Sequence, residues 1–428
     1  MSVGLGENTS VAVVGLGYVG LPLALRLSER FKVVGLDQDA ARVAELQQGH
    51  DRTGEIPTAI LKATSLVSTT DPLQITAADI YIVTVPTPVD ADNRPDLSAV
   101  VAACTTIGGA MRPGAIVVFE CTVYPGVTED ICGPELERAS SLKRGVDFFL
   151  GYSPERINPG DREHTVDRIT KVVAGENDTV TDVLCDLYGQ ITSGGVYRAE
   201  NIKTAEAAKV IENAQRDINI AFVNEVAMIC SHLGIKTHDV LAAARSKWNF
   251  LPFEPGLVGG HCIGVDPYYI AHLARELGHN SEVILAGRKI NDSMAGFVAE
   301  RIAEALAGTA SARILVLGLT FKEDVPDLRN SKVADLIVGL SEHGHRVDVH
   351  DPTADPAEAR MLYGIELFAD LDEATGYDAV IGAVGHRAYR EFDEQTFAGI
   401  LVPGGLIADL KGMWRAVDVA DRFRRWEL

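Results

Sequence analysis

Three glycines set after a short apolar run constrain this chain more than any other feature. Ser10 to Val14 reads as a strand running into Gly15-Leu16-Gly17-Tyr18-Val19-Gly20; a helical pattern follows to about Glu29, and Lys32 to Asp37 reads as a second strand. Strand, glycine turn, helix and strand form the setting in which a pyrophosphate meets a helix N-terminus. The first glycine makes the tight turn, the second admits the pyrophosphate to the backbone, and the third lets helix pack on strand. Asp37 ends the second strand, where a carboxylate accepts from both ribose hydroxyls and repels a 2′-phosphate. NAD is therefore expected rather than NADP.

Further strands are predicted at Ile80–Val85, Ala115–Phe119 and near Phe148–Tyr152, alternating with helices such as Ser98–Met111. That alternation implies a mostly parallel sheet covered on both faces. The loops Pro86-Thr87-Pro88 and Cys121 to Gly126 then fall at the carboxyl edge, where ligands bind. From Ala199 to Leu233 strand signals vanish and a single long helix is predicted, with Ile202, Ala205, Val210, Ile211, Ile218, Phe222 and Val226 as its apolar positions. At 1.5 Å per residue it is roughly 50 Å long, too long for one small domain, so it should connect two domains and pack on a second subunit. A helix from Val283 to about Leu306 follows, and then the βαβ pattern returns: Arg313–Leu319, a helix Ser331–Glu342, Arg346–Asp351, and later strands at Ala379–Val384 and Gly405–Asp409. The expected fold is α/β, two Rossmann-like doubly wound domains joined by a helical central domain, with boundaries 1–198, 199–306 and 307–428. The last domain's turn lacks the full glycine fingerprint, so no second dinucleotide is expected there.

Charge narrows the partners. A formal net charge of −21 opposes nucleic acid and anionic membrane surfaces, so an anionic small substrate must find a local cluster of Lys and Arg. Cysteines at 104, 121, 132, 185, 230 and 262 show neither C-x-x-C nor a His/Cys ligand spacing, so no disulfide framework and no metal site are expected. No basic segment precedes the apolar run from Val11 to Leu25, glycines and a proline interrupt it, and no other stretch is long enough to span a membrane. The expectation is a soluble, cytoplasmic chain.

Cys262 sits in Gly259-Gly260-His261-Cys262-Ile263-Gly264-Val265-Asp266-Pro267, a glycine-flanked bend before a helix for which Asp266 is the expected N-cap. Its thiol reads either as a small buried hydrophobe or as a nucleophile, with the glycines letting the backbone approach a ligand. On the long helix, Lys209, Asn213 and Arg216 fall at i, i+4 and i+7, on one face that could pair with the Cys262 loop. Taken one at a time, such residues usually mark a solvated face. Glu155 and Arg156, after Ser153-Pro154, form either a surface ion pair or a base and a substrate contact. Lys322 and Arg329 lie at the carboxyl edge of the second sheet, where an anion would also meet the helix starting near Ser331.

Taken together, the glycine turn, Val85-Pro86-Thr87-Pro88, Thr122, Ser153-Pro154-Glu155, Lys209 with Asn213, Gly259 to Asp266, and Phe321-Lys322 through Arg329 resemble the UDP-sugar 6-dehydrogenase family. Members of that family oxidise C6 of a UDP-hexose to a uronic acid with two NAD. The resemblance implies that Cys262 forms a thiohemiacetal and then a thioester, and that Lys209 with Asn213 assists proton and oxyanion chemistry. It further implies Glu155 as base, with Thr122 and Asp266 positioning water. Implied cofactor contacts are Gly15, Gly17, Tyr18, Val19, Gly20, Asp37, Arg42, Thr87 and Thr122. Implied substrate contacts are Glu155, Arg156, Ile157, Lys209, Asn213, Arg216, Phe250, Gly259, Gly260, Lys322 and Arg329. Arg156-Ile157-Asn158-Pro159 and Lys247 to Phe253 resemble the N-acetylhexosamine branch. The expectation is a homodimeric, NAD-dependent dehydrogenase acting on C6 of UDP-N-acetylglucosamine and serving surface polysaccharide synthesis. Other UDP-hexoses, a one-step β-hydroxyacid dehydrogenase and a non-catalytic NAD-binding sensor remain as alternatives.

Overall fold

Runs of valine and isoleucine bounded by glycine and polar turns form the strands of the first sheet: β1 (Ser10–Val14), β2 (Lys32–Leu36), β3 (Val67–Thr69), β4 (Ile80–Val83), β5 (Ile116–Phe119), β6 (Phe149–Tyr152), β7 (Lys171–Gly175) and β8 (Val196–Arg198). The structure, a computed structural model, describes residues 5–6, 8–76, 78–90, 92–156, 163, 165, 167–309, 311–419 and 422–428. Ile157, an expected substrate contact, lies outside them. The strand order is β3-β2-β1-β4-β5-β6-β7-β8, and among the described residues of this sheet only β6 and β7 pair antiparallel. Because β1 lies between β2 and β4, the connections leave it in opposite directions and open a crevice at its carboxyl end.

Side chains alternate between two fully covered faces. Val11, Val13, Ile80, Ile82, Ile116 and Val118 pack with Leu21, Ala24 and Leu27 of helix Gly20–Ser28 and with Leu184 and Leu187 of helix Asp178–Gly189. Ala12, Val14, Tyr81, Val83, Val117 and Phe119 pack on the other face, with Ile107 of helix Ser98–Ala110 and Leu136 of helix Gly133–Ser140. Burying each large apolar side chain stabilises the fold by roughly 1.5–3 kcal/mol. The reversal at β7, in register Tyr152↔Ala174, brings the first residue of that strand, Lys171, to the carboxyl edge of the sheet.

The second sheet contains β9 (Arg313–Leu317), β10 (Arg346–His350), β11 (Tyr377–Gly382), β12 (Leu401–Asp409) and β13 (Arg424–Glu427), in the order β10-β9-β11-β12-β13 and parallel throughout. Helix Lys332–Glu342 follows β9, with Ser331 as N-cap. The chain is thus α/β, with a Rossmann-like parallel sheet toward the N-terminus, helices in the centre and a second parallel sheet toward the C-terminus.

By contacts it forms two compact units, Met1–Glu212 with Tyr268–Asn280 and Asn213–Pro267 with Ser281–Leu428, and the helix Ile202–Leu233 contributes to each. The buried face of that helix matches the expected one only in part: Ile202, Ala205 and Val210 are buried, and Ile218 and Val226 half-buried. Ile211 and Phe222, expected as apolar anchors, are exposed, whereas Glu206, Lys209, Asn213, Asp217 and Asn224 are buried. Each of these buried polar residues has a partner within its own unit, which removes the penalty that would otherwise keep it in water. Among the described residues no helix is long and apolar enough to cross a membrane.

Candidate active site

At the switch point of the first sheet each glycine of the turn has its own reason. Gly15 has φ +99°, and a Cβ there would sit 3.1 Å from the Thr84 backbone. A Cβ on Gly20 would overlap the Gly15 carbonyl oxygen and the Thr84 hydroxyl. Gly17 is exposed and faces open space, and Tyr18 and Val19 are half-buried beside it. The Asp37 carboxylate is fixed at the end of β2, accepting from Leu16 N at 2.7 Å and Asp39 N at 2.9 Å. A cavity of about 190 Å³ lies there, lined by Gly15, Asp37, Thr70, Pro72, Pro86 and Ala102 among others. An open backbone at Gly17, a fixed carboxylate and a largely apolar slot fit the pyrophosphate, ribose and adenine of NAD.

Arg42, expected among the cofactor contacts, has a structural task here. It is buried, donates from Nε to the Leu16 carbonyl at 2.9 Å and pairs with Asp51 at 2.8 Å, so it supports the glycine turn from inside the fold. Thr87 is half-buried, and its carbonyl accepts from the Tyr269 hydroxyl at 2.6 Å. Thr122 is half-buried in the loop after β5. Glu206 ties down the far end of that loop, accepting from Gly126 N at 2.6 Å and Thr128 N at 2.9 Å. Burial pushes the Glu206 carboxyl up to about 7 against those two bonds.

Glu155 is not placed as an open base. It is buried; Oε2 accepts from Lys171 at 3.0 Å and Oε1 from Arg156 N at 2.5 Å. Burial opposes its charge, yet the Lys171 ammonium and these hydrogen bonds hold the carboxyl below its ordinary range. Lys209 is buried as well and donates to the Glu155 carbonyl at 2.8 Å. Arg156 pairs with Glu212, one turn further along the long helix.

In the second unit Cys262 is exposed and outside any disulfide. Its carbonyl accepts from Val265 N at 3.1 Å and Asp266 N at 2.9 Å, closing a turn that runs directly into helix Asp266–Glu276. Asp266 is therefore inside the helix's first turn rather than at the N-cap, which leaves its carboxylate to accept from the Asn213 side chain; Arg216 in turn donates to Asn213. The paired glycines before Cys262 serve protein packing. A Cβ on Gly260, at φ +83°, would lie 2.7 Å from the Phe321 ring, and one on Gly259 would lie 2.5 Å from the Asn330 carbonyl oxygen.

His261 meets Asp327 at 2.7 Å, and Asp327 also holds Arg329 at 2.8 Å. Burial opposes the Asp327 charge, but these two partners keep the carboxyl well below its ordinary range. Lys322 is half-buried in the same loop. Phe250 is half-buried in a turn beyond helix Thr237–Arg245, near Trp248, which is 97% exposed. Sequence reasoning missed Lys171, Glu120, Glu206, His261 and Asp327. Glu120 and Lys171 lie at strand ends and His261 in a glycine bend, but Glu206 sits within the long helix and Asp327 in the loop after β9, so position along the chain marks only some of them.

The NAD binding domain of the UDP-glucose/GDP-mannose dehydrogenase family matches residues 9–192, its central domain residues 203–293 and its UDP binding domain residues 315–416. Protein CapL of Staphylococcus aureus is 48% identical over 425 residues, covering 98% of this chain and 100% of that protein. A UDP-N-acetyl-D-glucosamine 6-dehydrogenase of Pseudomonas aeruginosa is 47% identical over 410 residues, covering 95% and 97%. Among solved structures, a UDP-D-ManNAc dehydrogenase from Pyrococcus horikoshii superposes with a TM-score of 0.86 at 28% identity, covering 97% of this chain and 99% of that one. Three family domains in unbroken order, and relatives alike over nearly their whole length, leave one conclusion: the chain belongs to the UDP-glucose/GDP-mannose dehydrogenase family, as an NAD-dependent oxidoreductase.

Proposed function

We propose that this chain is a cytoplasmic, homodimeric enzyme that oxidises C6 of UDP-N-acetylglucosamine to the uronic acid in two steps, for surface polysaccharide synthesis. The observation that carries this reading is the exposed Cys262 thiol in a glycine-braced turn, four residues before an Asp266 carboxylate already bonded to Asn213. NAD, held by the turn Gly15–Gly20 and Asp37, supplies the oxidising power, two electrons per step. Lys209 takes the alcohol proton in the first oxidation. The Cys262 thiolate then adds to the aldehyde carbon to form a thiohemiacetal, which the second oxidation converts to a thioester. Water oriented by Thr122 and Asp266 cleaves the thioester, returning the thiol and leaving the carboxylate. Asn213 and Arg216 steady the oxyanion, while Lys322, Arg329, Phe250 and Arg156 contact the nucleotide sugar. The identity with a named UDP-N-acetyl-D-glucosamine 6-dehydrogenase supports the choice of sugar.

The test is NADH formed per sugar across UDP-glucose, UDP-GlcNAc, UDP-GalNAc and UDP-ManNAc. Two NADH per UDP-GlcNAc, with that sugar preferred by about tenfold or more in kcat/KM, is the expected result. Cys262→Ala should end acid formation while NAD affinity stays within about threefold. One NADH per sugar, or unchanged acid formation by Cys262→Ala, would overturn the proposal.

A further inference from the structure

Four titratable side chains are buried together at the carboxyl edge of the first sheet. The wholly buried Lys171 ammonium donates to Glu120 Oε2 at 2.7 Å and Glu155 Oε2 at 3.0 Å, and the Tyr188 hydroxyl donates to Glu120 Oε1 at 2.5 Å. Tyr188 also sets its ring 5.0 Å from the ammonium. Well-packed hydrocarbon of the same volume often stabilises a fold as well as a buried ion pair does, so stability is a weak reason for these charges.

The cluster ends on one peptide unit. The N–H of Arg156 points at Glu155 Oε1 at 2.5 Å, and the C=O of Glu155 points at Lys209 Nζ at 2.8 Å. In a planar trans peptide these two groups point in opposite directions, so fixing the N–H also fixes where the carbonyl points. Lys171 fixes the carboxylate that receives the N–H. Glu120 follows β5, Glu155 follows β6, Lys171 opens β7, Tyr188 comes from helix Asp178–Gly189 and Lys209 from the long helix, and all are within the first unit.

We propose that Lys171 is a positioning residue for the dehydrogenase reaction: through the Glu155 carboxylate it locks the Glu155–Arg156 peptide, whose carbonyl aims the Lys209 amino group. Glu120 and Tyr188 hold Lys171 from behind. The inference rests on the proposed role of Lys209 in handling the alcohol proton.

The test is kcat and KM against pH for Lys171→Met, Tyr188→Phe and Lys209→Met in the full-length enzyme. Lys171→Met should keep NAD affinity within about threefold, lose about tenfold or more in kcat with a smaller change in sugar KM, and displace the kcat–pH profile by about half a unit or more. Tyr188→Phe leaves every charge in place and should lower kcat by about two- to fivefold with a displacement in the same sense. A folded Lys171→Met with an undisplaced profile and kcat within about twofold of the parent overturns the proposal. If Lys171→Met does not fold, Tyr188→Phe decides, and an undisplaced profile there overturns it equally. Turnover that survives Lys209→Met instead refutes the role given to Lys209, a failure of the functional reading itself.

Discussion

Gly17 and Gly20 belong to one motif but should fail in different ways when given a methyl group. In front of Gly17 there is open space, so Gly17→Ala should fold with an unfolding temperature within about 2 °C of the parent while NAD binding weakens by about tenfold or more, because the methyl occupies the pyrophosphate's approach. A Cβ on Gly20 would overlap the Gly15 backbone oxygen, which cannot move without parting the strand from the turn. Gly20→Ala should therefore cost about 3 kcal/mol or more in denaturant unfolding. Equal stability of the two variants would refute the distinction. The requirement at this turn is local, since one glycine meets another five residues away, and so the sequence displays it. The reason for Gly259 and Gly260 is not local: Asn330 and Phe321 crowd them from far along the chain, and nothing in the spacing announces those neighbours. Arg42 is similar, because Asp51 and the Leu16 carbonyl are what keep it inside the fold.

The long helix shows what periodicity can and cannot reveal. Its length and continuity were readable because no glycine or proline interrupts Ile202–Leu233. Which side is buried was readable only in part: Ile202, Ala205 and Val210 are buried as their spacing suggests, but polar residues recur at helical spacing too and share the interior. The polar stripe is buried because its partners exist: Asn224, for example, donates to the Gly256 carbonyl at 3.1 Å and accepts from Gly256 N at 2.8 Å. Phe222, Ile229 and Leu233 are left 54%, 52% and 66% exposed, at i, i+7 and i+11 on one side of the helix. Such a stripe is what a second copy of the chain would cover. If the proposed homodimer forms through this stripe, the double variant Phe222→Glu/Ile229→Glu should be a monomer in light scattering with its helical content intact, where the parent is a dimer; a variant that stays dimeric would place the interface elsewhere. Strand β7 was also invisible in advance: it is short, begins with a lysine, and takes its direction from β6 rather than from its own residues.

Over the whole molecule the two sheets share one closing device with opposite consequences. Asp37 accepts from Leu16 N at 2.7 Å and Asp351 from Leu319 N at 2.7 Å, each an aspartate following the second strand of its sheet and each reaching the residue after a glycine of positive φ. Beside Asp37 a cavity remains open. Asp351 also receives Thr320 N at 3.0 Å, Thr353 N at 2.8 Å, Ala354 N at 2.9 Å and the His386 ring at 3.0 Å, so little of its carboxylate is left for a ribose. The sequence hinted at this through the incomplete glycine turn, but His386 comes from another strand end and gave no sign.

The buried carboxyls and the charge of −21 together set how stability responds to pH. Burial pushes Glu120 and Glu206 from their ordinary value of 4.5 up to about 7. Between those values the folded chain keeps protons that the unfolded chain has released, so stability falls as pH rises across that window. A shift of this size corresponds to on the order of 3 kcal/mol per group. Glu155, Asp327 and Asp351, held below their ordinary ranges by ammonium, guanidinium or imidazole partners despite burial, act in the other direction. Their contribution is fully present above their unfolded values and is lost only as pH falls through the folded ones, so it does not change across the window set by Glu120 and Glu206. Self-repulsion of an acidic chain grows with pH and adds to the same slope. The unfolding temperature should therefore be higher near about pH 5.5 than near about pH 8, by roughly 5 °C. Glu120→Gln, which cannot ionise, should flatten that slope. A stability that rises from weakly acidic to weakly basic solution would mean that these carboxyls are ionised in the fold, with Lys171 outweighing burial at Glu120 and the Gly126 and Thr128 N–H groups outweighing it at Glu206.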